Sequence, residues 1–131
     1  MGAFHWSHVL AIAIGGSLGA IGRYGVTQFT SKWWSHGFPM GTFLANMAGC
    51  FLMGLAFVWF TIKYPGLAPQ WRSFIAVGFL GAFTTFSSYA IEALTLIEQG
   101  QSGWAATYLV VSVLGGMAAV AAGYGLAKQF L

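Results

Sequence analysis

Gly78-Phe79-Leu80-Gly81-Ala82-Phe83-Thr84-Thr85-Phe86-Ser87-Ser88-Tyr89, with Glu92 three residues on, is the stretch that decides the fold. It lies inside a run from about Ser73 to Ile97 that is long and apolar enough to cross a bilayer, which takes about 20 residues. Two glycines and the hydroxyls of Thr84, Thr85, Ser87 and Ser88 make it a poor uninterrupted apolar helix. A break here frees backbone N–H and C=O groups. At membrane depth such groups are tolerated only when buried in protein or lining a water-filled cavity. Broken helices of this kind put half-helix ends and free carbonyls at ion sites. The competing reading is a kinked helix whose hydroxyls bond back to its own carbonyls. Glu92 reads either as part of this feature or as a helix-end carboxylate near the interface, with the second favoured.

Three further spans flank it, from about His8 to Phe29, Gly41 to Ile62 and Gly103 to Ala127. The connectors carry the prolines and most charges, and Trp33, Trp34, Trp59, Trp71 and Trp104 fall near span ends, as an interfacial belt places them. Nothing is left for a soluble domain, so residues 1–131 read as one all-α integral-membrane unit of four helices with the third broken. Composition agrees. Charged side chains are 5% and hydrophobic ones 58% of the 131 residues, where a soluble domain carries roughly 25% charge. The acidic groups are Glu92 and Glu98 and the basic ones Arg23, Lys32, Lys63, Arg72 and Lys128. That set excludes a carboxylate-pair hydrolase, a zinc site and a nucleic-acid partner. Cys50 is the only cysteine and reads as a small buried hydrophobe. The N-terminus has no basic n-region, so no cleaved leader is expected.

With four spans, Lys63, Arg72 and Lys128 share one side of the membrane, against Lys32 and Arg23 on the other. Three against two is nearly a tie, and orientation normally follows a clear bias. This points to insertion in both orientations or to a contact that decides it otherwise. Gly15/Gly19, Gly16/Ala20, the Gly41–Ala45–Gly49 stripe and the Gly115–Ala119–Gly123 stripe provide close-packing faces, and are expected to seat another copy of the chain.

The remaining intramembrane polar groups are Thr42 and Asn46, one turn apart on the second span, and Tyr108 and Ser112, one turn apart on the fourth. Each reads as interhelical glue, worth about 0.6–2 kcal/mol, or as pathway lining. Arg23 is expected to snorkel from the end of the first span. His5, His8 and His36 receive no role. The shared chemistry is neutral donors, Asn, Ser, Thr and Tyr. A proton-coupled pump usually shows an embedded carboxylate or His relay, and a cation pore carboxylate or carbonyl rings. Neutral donors with positive aromatic edges suit a small, hard anion that must shed water yet still leave.

The run Gly81-Ala82-Phe83-Thr84-Thr85-Phe86-Ser87-Ser88-Tyr89-Ala90-Ile91-Glu92 resembles the signature of the Fluc (CrcB) fluoride channels. Gly15-Gly16-Ser17-Leu18-Gly19 leading to Arg23, Gly41-Thr42-Phe43-Leu44-Ala45-Asn46, and Tyr108 with Ser112 agree in order and spacing, so the resemblance covers essentially the whole chain. It implies an antiparallel, dual-topology homodimer in a prokaryotic plasma (inner) membrane. Each dimer would have two pores passively exporting fluoride that entered as HF, conferring fluoride resistance without enzyme activity. A structural sodium ion at the dimer centre would be held by backbone carbonyls matching Gly81 and Thr84. Phe86 matches the first pore aromatic. The second, also Phe in the family, falls on Tyr89, whose hydroxyl either donates to the ion or bonds a neighbour. Asn46 matches the pore Asn, Thr42, Ser88, Tyr108 and Ser112 the polar track, and Arg23 a basic residue near the pore mouth. Family Ser/Thr positions farther along the fourth helix fall on Gly116 and Val120. The alternatives are a small proton-coupled multidrug exporter, which wants a first-span Glu this chain lacks, and a non-transporting membrane scaffold.

Overall fold

The structure, a computed structural model, describes residues 4–34 and 37–130. Among these the regular elements are all helical, and four helical stretches are long and apolar enough to span a membrane: Trp6–Trp33, Met40–Lys63, Pro69–Glu98 and Ser102–Phe130. They contain the four expected spans and extend them by a few residues, because a helix continues through the interface where water satisfies its ends. Trp33, Trp59, Trp71 and Trp104 are exposed at these ends. His36 lies outside the described residues.

The ends are closed by local chemistry. After Glu98, Gly100 takes φ +76°, the Gln101 N–H donates to the Leu96 carbonyl at 2.8 Å and the Gly100 N–H to Ile97 at 3.0 Å. This is a Schellman stop, in which a left-handed glycine lets two orphan carbonyls be satisfied. The second span ends in a wide π-helical turn, Trp59–Lys63. The Arg72 guanidinium reaches across the following turn and donates to the Phe60 carbonyl at 2.9 Å.

The first span lies along residues 69–83 of the third, and the second lies along the fourth. Both contacts are made by glycines. A Cβ on Gly15 would strike the Phe74 carbonyl, one on Gly19 the Phe79 carbonyl, and one on Gly78 the backbone of Ile12 and Gly16. Likewise Gly54 faces the Val120 carbonyl and Gly123 the Phe51 carbonyl, while Gly49 makes room for the Thr84 methyl and Gly41 for Thr27 and Thr30. With no hydrophobic drive in lipid, this close approach is what brings the helices together. Of the small residues expected to seat another copy, Gly15, Gly19, Gly41, Gly49 and Gly123 are thus taken up inside the subunit, while Ala20 stays exposed.

A second correction concerns Arg23. It is not at the end of the first span, which runs on to Trp33. It sits at depth, with its Nε donating to the Ala82 carbonyl at 3.1 Å. A half-buried guanidinium in a span is tolerated when backbone oxygen receives it. As a loop charge Arg23 drops out, so the basic groups at the two membrane faces stand at three against one rather than near a tie. His8 is also inside the first span, its Nδ1 2.6 Å from the Ser73 hydroxyl.

Candidate ion pathway

Within the third span the segment Gly81–Phe83 ends at Thr84, with φ −89° and ψ 157°. The segment Phe86–Glu98 starts after Thr85, with φ −151° and ψ 116°. Two consecutive residues are thus extended at membrane depth. Their backbone groups need partners, since each left unmade in an apolar medium costs about 1–3 kcal/mol.

Asn46 supplies two of them. Its Oδ1 accepts from the Thr85 N–H at 2.8 Å and its Nδ2 donates to the Thr85 carbonyl at 3.2 Å. A carboxamide is the one neutral side chain that offers a donor and an acceptor side by side. Thr85 then caps the segment that follows, its Oγ1 accepting from the Ser88 N–H at 3.1 Å, as an N-cap threonine does. The Thr84 N–H and hydroxyl both reach back to the Leu80 carbonyl, at 3.1 and 3.0 Å. These choices release two carbonyls. The N–H groups that would close on Gly81 and Thr84 in a continuous helix belong to Thr85 and Ser88, and both donate elsewhere. The Gly81 and Thr84 carbonyls thus lie on either side of the extended pair without the partners a continuous helix would give them.

The aromatic groups run from this point toward the membrane face that carries Trp34. Phe86 is 80% exposed. Its ring is 5.7 Å from Tyr89, Tyr89 is 5.1 Å edge-on from Tyr108, and Tyr108 is 5.2 Å edge-on from Phe38. The Tyr89 hydroxyl donates to the Leu109 carbonyl at 2.7 Å. Of the two roles open to that phenol, the structure selects the bond to a neighbour. The ring is held against the fourth span and its hydroxyl is taken.

On the fourth span the Ser112 hydroxyl is buried and has no hydrogen-bond partner among the described residues. The Tyr108 hydroxyl, also buried, closes no well-aligned hydrogen bond and lies beside the Thr42 hydroxyl. Several other hydroxyls in the spans are accounted for by back-bonding to their own helix, as with Ser17, Thr27, Thr95 and Thr107. Thr42 is an exception of another kind. It is buried and donates to Glu92 Oε1 at 2.6 Å. Glu92, for which a helix-end place near the interface was favoured, lines a recess of about 400 Å³ with Thr42, Thr30 and Thr95, at the Trp34 end. It lies one turn from Ser88 and about two from Thr85, on the same side of the helix.

A second groove, about 320 Å³, opens at mid-depth and is lined by Asn46, Cys50, Thr85, Phe86, Tyr89 and Ser112 among others. The structure therefore brings Asn46, Phe86, Tyr89 and Ser112 to one groove, and Thr42 to the recess beside it. Tyr108 lies at the junction of the two, in ring contact with Tyr89. Arg23 reaches the backbone just before the extended pair, at the Ala82 carbonyl. The arrangement offers neutral donors, ring edges and two cavities in line, and contains no nucleophile–base pair. Among the described residues no group of three His, Cys, Asp or Glu could hold a metal.

Comparison with known proteins gives a consistent result. The family model described as CrcB-like protein, Camphor Resistance (CrcB), matches residues 10–124. A "Fluoride-specific ion channel FluC" of Hahella chejuensis is 41% identical over 124 residues, covering 95% of this chain and 97% of the relative. Proteins of the same name from Stutzerimonas stutzeri and Hydrogenovibrio crunogenus are 40% identical over 118 residues and 38% over 130. The first covers 90% of this chain and 94% of the relative, the second 99% and 98%.

Proposed function

The chain belongs to the CrcB-like family, and from that premise we propose how its residues conduct fluoride. It is a fluoride channel rather than an enzyme, a multi-pass protein of the bacterial plasma membrane. The observation that carries the proposed pathway is the buried, unpartnered hydroxyl of Ser112, one turn from the buried Tyr108 hydroxyl, which has only the Thr42 hydroxyl beside it. A donor left unmade in a low-dielectric interior is costly. A small anion passing these groups meets that need, and is repaid for part of its lost hydration. Nothing there carries full charge, so the ion is held by several weak contacts and can leave.

The ion enters the recess at Thr42 and Glu92. The Thr42 hydroxyl reaches it only by releasing the carboxylate. It then passes the Tyr108 phenol and the edges of Tyr89 and Phe86, whose rims are positive, to Ser112 and the free N–H of Asn46. Ser88 contributes from the capped turn. Asn46 is both lining and the clamp on Thr85, so its two competing readings merge. Arg23 acts as a positioning residue, its charge holding the Ala82 carbonyl beside the extended pair.

The functional unit we propose is an antiparallel homodimer with two pores and an interruption of the third helix at Thr84–Thr85. Support comes from the family resemblance and from Phe86, exposed at mid-depth beside the interruption. The loop charges lend it less weight once Arg23 is discounted. At the dimer centre the Gly81 and Thr84 carbonyls of each subunit would hold a sodium ion, which supplies a fixed positive charge at mid-membrane.

The test is ion release from liposomes containing the purified protein, followed first with a fluoride and then with a chloride electrode. Fluoride release without chloride release is expected. Equal release of both, or of neither from monodisperse protein, overturns the reading.

A further inference from the structure

On the fourth span the hydroxyl series stops at Ser112: the next two turns present Gly116 and Val120. The mid-depth groove runs on as far as Val120, and there the line is shut. Gly54 of the second span packs on the Val120 carbonyl and Gly123 on the Phe51 carbonyl, each too close to admit even a methyl group. An ion that has passed Ser112 has no donor ahead of it on this helix, and beyond Val120 no space to follow it.

The open space goes elsewhere. Met53 lines the mid-depth groove, and it also lines a separate cavity of about 210 Å³ with Phe57, Phe60, Thr61, Arg72 and Ala76. That cavity lies at the membrane face opposite the Thr42 recess. One face of the second span thus runs through all three spaces: Thr42 in the first, Asn46, Cys50 and Met53 in the second, Met53, Phe57 and Thr61 in the third. These positions recur at three- and four-residue steps, one stripe of a helix. From Thr42 to Thr61 they rise roughly 28 Å, about the thickness of the hydrocarbon core. The far cavity ends on a cation. The Arg72 guanidinium gives one Nη to the Phe60 carbonyl at 2.9 Å and sits 5.9 Å from the Phe60 ring centroid. A guanidinium has five N–H groups in a rigid fork, so this anchorage fixes its direction and leaves most of its donors for an anion.

We propose that the pathway turns away from the fourth span beyond Ser112, at Val120, passes the Met53 thioether, and ends in an anion-binding vestibule formed by Thr61 and Arg72. The inference rests on the fluoride-channel reading and adds the far half of the route. Met53 is its narrow point, a flexible and polarizable side chain. Arg72 concentrates the anion at the mouth by its field, an effect that salt screens.

The test is the rate of fluoride release from liposomes for Arg72→Gln, Arg72→Lys, Met53→Ala and Met53→Phe, at low and high ionic strength. Arg72→Gln is expected to slow release about two- to fivefold at low salt, with the difference lost near 1 M, where the Debye length is about 3 Å. Arg72→Lys, which keeps the charge, holds the rate. Met53→Phe slows release at both salt concentrations, and Met53→Ala does not. An Arg72→Gln protein that equals the parent at low salt overturns the inference, as does one slowed equally at both. If Arg72→Gln does not fold, unchanged release from Met53→Phe overturns it. A parent that releases no fluoride overturns the channel reading itself, which separates the two failures.

Discussion

Residues 69–83 of the third span are held chiefly by close backbone contact, and residues 86–98 by side chains. Along the first segment, glycines of the first span sit directly on the carbonyls of Phe74 and Phe79, with the His8–Ser73 and Arg23–Ala82 bonds beside them. The second segment is held by the Asn46 clamp on Thr85, the Thr42–Glu92 pair and the Tyr89 hydroxyl on Leu109. Side-chain bonds can be exchanged one at a time with a passing ion, whereas a backbone contact made through a missing Cβ is all or none. The span thus divides into a fixed support and a working surface, and the extended pair Thr84–Thr85 is where one passes to the other.

The largest effect is expected on the support. Gly19→Val drives two methyl groups into the Phe79 backbone, a clash worth about 3 kcal/mol or more of stability. Little monodisperse protein should survive detergent extraction, while Gly25→Ala, with nothing within 4 Å of its added carbon, should match the parent. A well-folded Gly19→Val protein would break the comparison. Next is the clamp. Asn46→Leu leaves the Thr85 N–H and carbonyl without partners, at about 1–3 kcal/mol each, so the melting temperature falls and fluoride release is abolished together.

Ser112→Ala sharpens the distinction, because its hydroxyl has no protein partner to lose. Release is expected to fall about tenfold, the loss of one donor to a charged ion at about 1.5 kcal/mol, with no fall in thermal stability. A stability loss without a flux loss would return Ser112 to the role of glue. The smallest effect is expected at Tyr89→Phe. It removes the bond to Leu109, at about 1 kcal/mol, but keeps the ring edge. Thermal stability should drop slightly and fluoride release stay within about twofold of the parent, since no ion contact goes with it. A large flux loss would show that the phenol, not the ring, meets the ion.

Much of the working surface was legible in the residue order, and its partners were not. That Asn46 had to matter followed from a carboxamide in an apolar span. That it binds Thr85, thirty-nine residues away, depended on how the second and third spans dock. Tyr89 showed the same limit: a phenol in lipid must bond something, but two outcomes fitted its position equally well. For Glu92, distance from the helix end did not show that Thr42 of a neighbouring helix would meet its carboxylate. The glycine stripes were recognised as contact faces, but a small residue marks close approach without naming what approaches, and most of these glycines meet helices of the same subunit.

Residue order by itself determined the four spans and the neutral donor chemistry. These follow from hydropathy and residue type, which act locally along the chain against the bilayer. Tertiary structure alone decided which glycines face inward, that Thr84 and Thr85 are extended, that Arg23 serves the Ala82 carbonyl, and that the Ser112 hydroxyl keeps no partner. Those outcomes are choices among partners distant in sequence, and only the packed helices bring the competing donors and acceptors within hydrogen-bonding reach.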